Sequence, residues 1–298
     1  MLAALPALPA LLPFVFALLW ASSYAAAKIG LHDVTPFAFV ALRLAIAAVA
    51  AALLLRVIGQ RWPRAGSWPY LLLGGGLLHG FGLSMTHAAL VSVDATPTAL
   101  VHAFHPILTA ALGTALLGER FAPWQWLGVA LGFAGVVLGV PLSLGTGNLG
   151  LLGLSLFGLT AGTLILKRFC ADVPPFASTA VQLIGGALTT VALMLLFETP
   201  HAHWTARFAG ALAWNTVAMS IFGMAIYSLM LDCHGAGRAS SGFFVVPGAS
   251  ALMAYVVLDE HLTPLALAGL AASTLGVMLV WWRNPGPAAP PKRKAPGA

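Results

Sequence analysis

The sequence is poor in charge. It holds eight acids in 298 residues, charged residues of both signs make up 7%, and lysine occurs only at positions 28, 167, 292 and 294. A soluble domain carries roughly 25% charged residues, whereas 60% of this chain is hydrophobic and its mean hydropathy is +0.93. No soluble core hides that much apolar surface, so the solvent of this chain is lipid. Other scarcities narrow the chemistry. The two cysteines, Cys170 and Cys233, have no metal-type spacing and make no disulfide framework. No GxxxxGK[ST] loop exists, which excludes ATP hydrolysis on a phosphate loop. No HExxH and no paired acids occur inside the apolar stretches, as intramembrane metalloprotease or prenyltransferase chemistry would need. No cofactor and no metal are expected. The net charge of +6 would suggest nucleic acid in a soluble protein; here it is loop charge that orients the chain, and no nucleic-acid partner is expected.

What the sequence does contain is long apolar runs. A membrane helix needs ~20 mostly apolar residues. Breaks at charges and turn residues leave ten candidate spans, at 11–30, 36–58, 68–90, 95–117, 123–142, 149–170, 174–197, 206–231, 238–258 and 263–283. The first lacks a basic leader and reads as a retained helix. The Pro-rich basic tail, 284–298, reads as disordered. With both termini in the cytoplasm, eleven lysines and arginines fall in cytoplasmic segments. Only Lys28 and Arg207 fall outside, and Arg43 sits within a span. That asymmetry predicts the orientation in a bacterial-type inner membrane.

The chain also repeats itself. LGERFAPWQWLGVALGFAGVVLG from Leu117 returns as LDEHLTPLALAGLAASTLGVMLV from Leu258, matching Glu119 with Glu260, Pro123 with Pro264, Gly128 with Gly269 and Gly135 with Gly276. Pro106 matches Pro247 at the same offset. Earlier in each half Lys28 matches Lys167, Pro36 matches Pro175 and Arg43 matches Gln182. Each half, 1–142 and 149–283, holds five spans. Five is odd, so the second copy enters the membrane inverted. The predicted fold is an all-α membrane protein of ten transmembrane helices in two inverted five-helix repeats. Inverted repeats are a transporter signature, because mirrored halves give mirrored states of similar energy.

LLWASSYAAAKIG, PFAFVALRLAIA and LGERFAPWQWLGVALGFAGVVLG resemble the drug/metabolite transporter superfamily, EamA type, over the whole chain. The resemblance implies a ten-span secondary carrier that exports amino acids or related metabolites, in a layout close to bacterial aromatic amino acid exporters of the YddG type. Multidrug or toxic-compound export and a nucleotide-sugar-like carrier are the alternatives within transport. An intramembrane lipid-modifying enzyme is the alternative outside it. Small four-span relatives use a first-span glutamate for proton coupling. The stretch from Phe14 to Ala27 has no acid, so that coupling is not carried over. The expected partners are a small-molecule substrate and the lipid bilayer, with a monomer as the working unit.

Substrates of such carriers bind near the midplane. The polar and aromatic residues at that depth are Trp20, Ser23 and Tyr24 in span one, His79 in span three, and His102 and His105 in span four. Thr160 and Thr163 in span six, Ser220 in span eight and Phe244 in span nine complete the set. Phe104, Phe243 and Tyr255 are further candidates for aromatic surface. Thr98, His102, His105 and Thr109 make one helical stripe, expected to face a cavity. Ser178, Gln182, Gly185 and Thr189 make a second, and Thr216, Ser220, Gly223 and Tyr227 a third; both are expected at helix interfaces. The histidines serve as cavity walls or in proton coupling, and less readily as metal ligands. Pro106 and Pro247 remove a backbone hydrogen bond from mid-span carbonyls and act either as gating hinges or as static kinks. Arg43 either binds a substrate carboxylate, bonds to backbone carbonyls or snorkels to the outer surface, and Gln182 occupies the matching place in the inner half.

Overall fold

The structure is a computed structural model that describes residues 8–117, 121–140, 145–223, 226 and 246–282. Its ten spans are α1 Leu8–Gly30, α2 Pro36–Val57, α3 68–90, α4 95–117, α5 Pro123–Gly139, α6 Gly145–Phe169, α7 Pro175–Phe197, α8 206–223, α9 Val246–Leu258 and α10 Pro264–Trp281. In lipid each unsatisfied backbone group costs several kcal/mol, so spanning segments fold as helices. Four of them, at 22 to 25 residues with mean hydropathy 1.4 to 2.5, have the length and composition to cross a membrane outright. Pro36, Pro123, Pro175 and Pro264 each open a helix, where the missing N–H is no loss and the fixed φ suits the first turn. They form two of the repeat pairs.

Successive spans alternate in direction. One end of the bundle gathers Lys28, Asp94, Asp33, Arg207 and Glu260. The opposite end carries Arg56 and Trp62, whose ring packs on Trp68. α1 runs toward the Lys28 end and its repeat partner α6 runs away from it, so the halves are inverted as the odd span count requires. Each third span is embedded in the other half: α3 packs on α6 and α7, and α8 packs on α1 and α2.

The axis relating the halves lies in the crossing of α5 and α10. A Cβ on Gly128 would stand 2.7 Å from the carbonyl oxygen of Gly276, and one on Gly135 would stand 2.6 Å from that of Gly269. The repeat pairs 128 with 269 and 135 with 276, so each glycine touches the partner of the other, as a two-fold axis demands. Between them Ser273 donates to the carbonyl of Gly132, its own repeat equivalent. Small residues let two backbones meet this closely in lipid.

Two features interrupt regular helix. α4 breaks at Phe104, between Ala95–Ala103 and His105–Leu117, next to Pro106, whose ring nitrogen has no hydrogen to give to the carbonyl of His102. α3 and α8 each widen into a π-helical segment, Gly76–Gly82 and Trp214–Gly223. At the offset of 139 residues, 76–82 falls on 215–221. The sequences GLLHGFG and NTVAMSI share no letters there, yet the halves carry the distortion in the same place. The outer wall is apolar: Leu53, Leu127, Phe133, Phe157, Leu188, Leu196 and Val256 are all exposed.

Candidate functional site

Two buried polar clusters lie between the halves. The first centres on Arg43, in the second turn of α2 and only 6% exposed. Its Nη1 donates to Asn215 Oδ1 at 3.0 Å and its Nε donates to Ser220 Oγ at 3.3 Å. Both acceptors come from the π-helical segment of α8. Ser220 in turn donates to the carbonyl of Asn215, five residues back, which is the spacing of that helix type. Arg43 therefore neither snorkels nor bonds to backbone carbonyls; it spans to neutral side chains of the other half. α3 supplies two imidazoles around it. The His87 ring packs tilted on Phe39, one turn before Arg43, with centroids 5.3 Å apart. His79 packs at Gly186 of α7, where an added Cβ would stand 2.9 Å from the His79 Cβ. His79 Nε2, His87 Nε2 and Thr216 Oγ1 are buried without a hydrogen-bond partner.

The second cluster is a chain of hydrogen bonds through His102. Trp20 Nε1 donates to the Tyr24 hydroxyl at 3.3 Å, and that hydroxyl lies 2.8 Å from His102 Nδ1. On the other side of the ring, Nε2 is 2.8 Å from Ser155 Oγ, which is 2.7 Å from Thr86 Oγ1. Thr86 donates to the carbonyl of Gly82 at the end of the α3 distortion. One placement of hydrogens satisfies every member: each group donates to the next, from the Trp20 N–H to the Gly82 carbonyl, with the imidazole neutral. The chain joins α1, α4, α6 and α3. His105, beyond the break, reaches Thr163 on α6 at 3.2 Å, whose own hydroxyl is spent on the carbonyl of Leu159.

The other expected residues divide. Thr160 is buried with an unpartnered hydroxyl. Ser23 turns back to the carbonyl of Trp20 within its own helix. Gln182 takes the Ser178 hydroxyl as acceptor. The α7 stripe is an interface: a Cβ on Gly185 would meet the Leu72 backbone at 2.3 Å, and one on Gly75 would meet Gln182 at the same distance. The break at Phe104 falls between His102 and His105, yet both imidazoles turn to α6, on Ser155 and Thr163. One stripe needs correction. In α8 the π-helical turn retires the spacing of four and three, and pairs Asn215 with Ser220 instead. Tyr255, on α9, is 54% exposed. Phe104 is half-buried and packs on Phe133. Pro247 lies in the first described turn of α9. Phe243, Phe244, Tyr227, Glu119 and Cys233 lie outside the described residues.

Sequence reasoning missed Asn215, Ser155 and Thr86 as members of these clusters, while His87 was among the deep histidines expected at a polar cavity. It also missed the role of the acids. At the Lys28 end Glu260 accepts from the backbone N–H groups of Ala95 and Thr96 at 2.7 and 3.1 Å and from the Thr96 hydroxyl at 2.9 Å. Lys28 lies 2.5 Å from Asp94 and 3.6 Å from Glu260. Glu198 caps α2 in the same way, on the N–H groups of Phe37 and Ala38. Asp33 accepts from Arg207 through both oxygens and from the Thr205 hydroxyl. These three carboxylates tie the halves together at that end. Asp259, at φ 56°, makes the left-handed turn that folds Glu260 back toward α4.

A duplicated, inverted bundle with buried polar clusters between its halves agrees with what this chain is similar to. The chain matches the EamA-like transporter family twice, over residues 7–140 and 146–282. It is 27% identical to a probable terminal-alkyne amino-acid exporter of Streptantibioticus cattleyicolor, over 88% of this chain and 89% of that one. It is 24% identical to a probable amino-acid metabolite efflux pump of Salmonella typhimurium, over 90% and 93%. An uncharacterized transporter of Synechocystis sp. is 27% identical over 88% and 86%. One solved crystal structure shares the fold with a TM-score of 0.66, at 21% identity over 91% of this chain and 96% of that one. With both halves matched and the fold shared, the chain belongs to the EamA-like transporter family.

Proposed function

We propose that this multi-pass membrane transporter exports small amphipathic metabolites from the cytoplasm, amino acids with neutral or aromatic side chains first among them. Its two halves, 1–142 and 149–283, rock about the α5–α10 crossing and open the polar clusters to one compartment at a time. The observation that carries this reading is the joining of inverted halves through buried polar groups: Arg43 of one half on Asn215 and Ser220 of the other, and His102 on Ser155. The names of the Streptantibioticus and Salmonella relatives support amino acids. The membrane is the bacterial inner membrane, with both termini cytoplasmic and the Lys28 end outside, as the distribution of lysine and arginine supports.

Purified protein in liposomes should exchange labelled neutral amino acids, and His79→Ala or His105→Ala should change the rate. Absence of exchange across the panel would end the amino-acid reading. Unchanged rates in both variants would remove those residues from the site. For the orientation, single cysteines at Arg61 and His203, placed in a background lacking Cys170 and Cys233, should label from opposite sides. Labelling of Arg61→Cys from outside intact cells would reverse the assignment.

A further inference from the structure

We infer that Arg43 anchors a carboxylate of the transported solute, so that the site takes anions and zwitterions and turns cations away. The inference rests on the transport reading and names the chemical class that the site takes.

A guanidinium inside a membrane is costly unless it is paired. Long basic side chains usually escape by reaching for the surface. Arg43 does not, being 94% buried by its 6% exposure. Its two hydrogen bonds go to an amide oxygen and a hydroxyl. These satisfy donors but bring no negative charge. Among the described residues the ion pairs are those of Lys28 and Arg207, at the Lys28 end, and no carboxylate reaches Arg43. The guanidinium is a planar fork of five N–H donors that matches a carboxylate edge-on, and its described bonds use Nε and Nη1.

The surroundings are as unfinished as the charge. His79 Nε2, His87 Nε2 and Thr216 Oγ1 are buried without partners. The His87 ring meets Phe39, one turn before Arg43, at 5.3 Å, and Thr216 follows its acceptor Asn215 in the chain. A buried polar atom left unpaired loses its bonds to water and gains none in return. A lone buried cation beside several unpaired polar atoms is completed by a ligand that brings both negative charge and hydrogen-bonding atoms. A carboxylate does both. A purely structural arginine, holding α2 to α8, would complete itself with a protein acid. Three of the residues around the site lie in the two π-helical segments, Asn215 and Ser220 in α8 and His79 in α3, a distortion that recurs at functional sites.

The test uses the full chain, purified in detergent and in liposomes. The probes are a panel of neutral L-amino acids, the amide of each, and L-lysine and L-arginine. Binding is read from the thermal unfolding midpoint and tryptophan fluorescence. At least one neutral amino acid should bind, its amide should bind about thirtyfold more weakly or worse, and the two basic amino acids should bind weakly; thirtyfold corresponds to about 2 kcal/mol, the low end for a lost buried charge pair. Arg43→Gln should bind acid and amide alike, while Arg43→Lys keeps part of the preference. Equal binding of acid and amide by the native protein would overturn the inference. So would an Arg43→Gln variant that keeps the preference, or a panel in which no carboxylate binds. If Arg43→Gln does not fold, the native acid–amide ratio and Arg43→Lys decide. Carboxylate binding without flux would fell the transport reading and leave the anchor standing. Flux of amides as fast as acids would do the reverse.

Discussion

The carboxylate of Glu260 stands 3.6 Å from the ammonium of Lys28 and at the same time closes the first turn of α4, a helix of the other half. The two roles differ in weight. Lys28 also meets Asp94 at 2.5 Å, but the Asp94 side chain is 65% exposed, and exposed pairs are worth about 0–1 kcal/mol. The Glu260 side chain is 9% exposed and accepts from two backbone N–H groups and a hydroxyl. Glu260→Ala should therefore cost about 2 kcal/mol of stability, the upper range for loss of a cap, whereas Asp94→Ala should cost under about 1 kcal/mol. Chemical denaturation of the two variants side by side gives the order; equal losses would mean that the cap contributes nothing beyond the pair.

Asp33 provides the pH prediction. Its bidentate bond from Arg207 and the bond from Thr205 hold its carboxyl well below the usual carboxylate range. A group whose folded value is depressed adds stability above its unfolded value, near ~3.9 for aspartate, and loses it as pH falls toward the folded value. Asp33→Asn should therefore melt lower than the native protein by a constant margin from pH 7 to about pH 5. The margin should shrink only below about pH 4. A margin that vanished already at pH 5.5 would show that another group was responsible.

The glycines of the α5–α10 crossing should not tolerate a methyl group. A Cβ on Gly135 would lie 2.6 Å from both the Gly269 carbonyl and the Ser273 nitrogen, and backbone cannot step aside. Gly135→Ala should cost about 1–3 kcal/mol, the usual penalty of overpacking. Gly150, in α6, has nothing within 4 Å and needs no left-handed φ. Gly150→Ala should be neutral or gain up to about 1 kcal/mol from reduced freedom of the unfolded chain. Thermal unfolding of the pair distinguishes a packing effect from a general intolerance of alanine.

The His102 chain should behave as one unit. Tyr24→Phe and Ser155→Ala each remove a partner from opposite nitrogens of the same ring. If the ring relays polarity between them, the double variant should differ from the sum of the singles by about 0.5–3 kcal/mol. Strict additivity would reduce the chain to separate contacts.

Much of the fold was legible because it is written in strong, local signals. Apolar runs ended by Pro, Gly and charge located the spans, and the Glu, Pro and Gly matches at offset 141 revealed the duplication and its inversion. Pro106 announced the break beside Phe104. The π-helical segments were not legible. A helix gains that turn by taking one extra residue, and neither GLLHGFG nor NTVAMSI carries a residue type that marks it. The loss propagated to the site: α-helical spacing brought Thr216 and Ser220 together, and Asn215, the nearer partner of Arg43, was passed over. Ser155 and Thr86 went unnoticed because hydroxyls in apolar helices read as packing residues until a ring nitrogen is seen beside them. The exposure of Tyr255 was not legible either, since an aromatic ring in a span carries no mark of whether it is buried or exposed.

The glycine crossing has a practical consequence. Backbones held at contact distance by Gly128, Gly135, Gly269 and Gly276 would stay together through the proposed cycle. Their neighbours Leu127 and Leu275 face lipid, at 61% and 53% exposed, and accept spectroscopic labels without disturbing the contact. Such a pair would act as a built-in ruler of constant length, against which every other separation in the working protein can be calibrated.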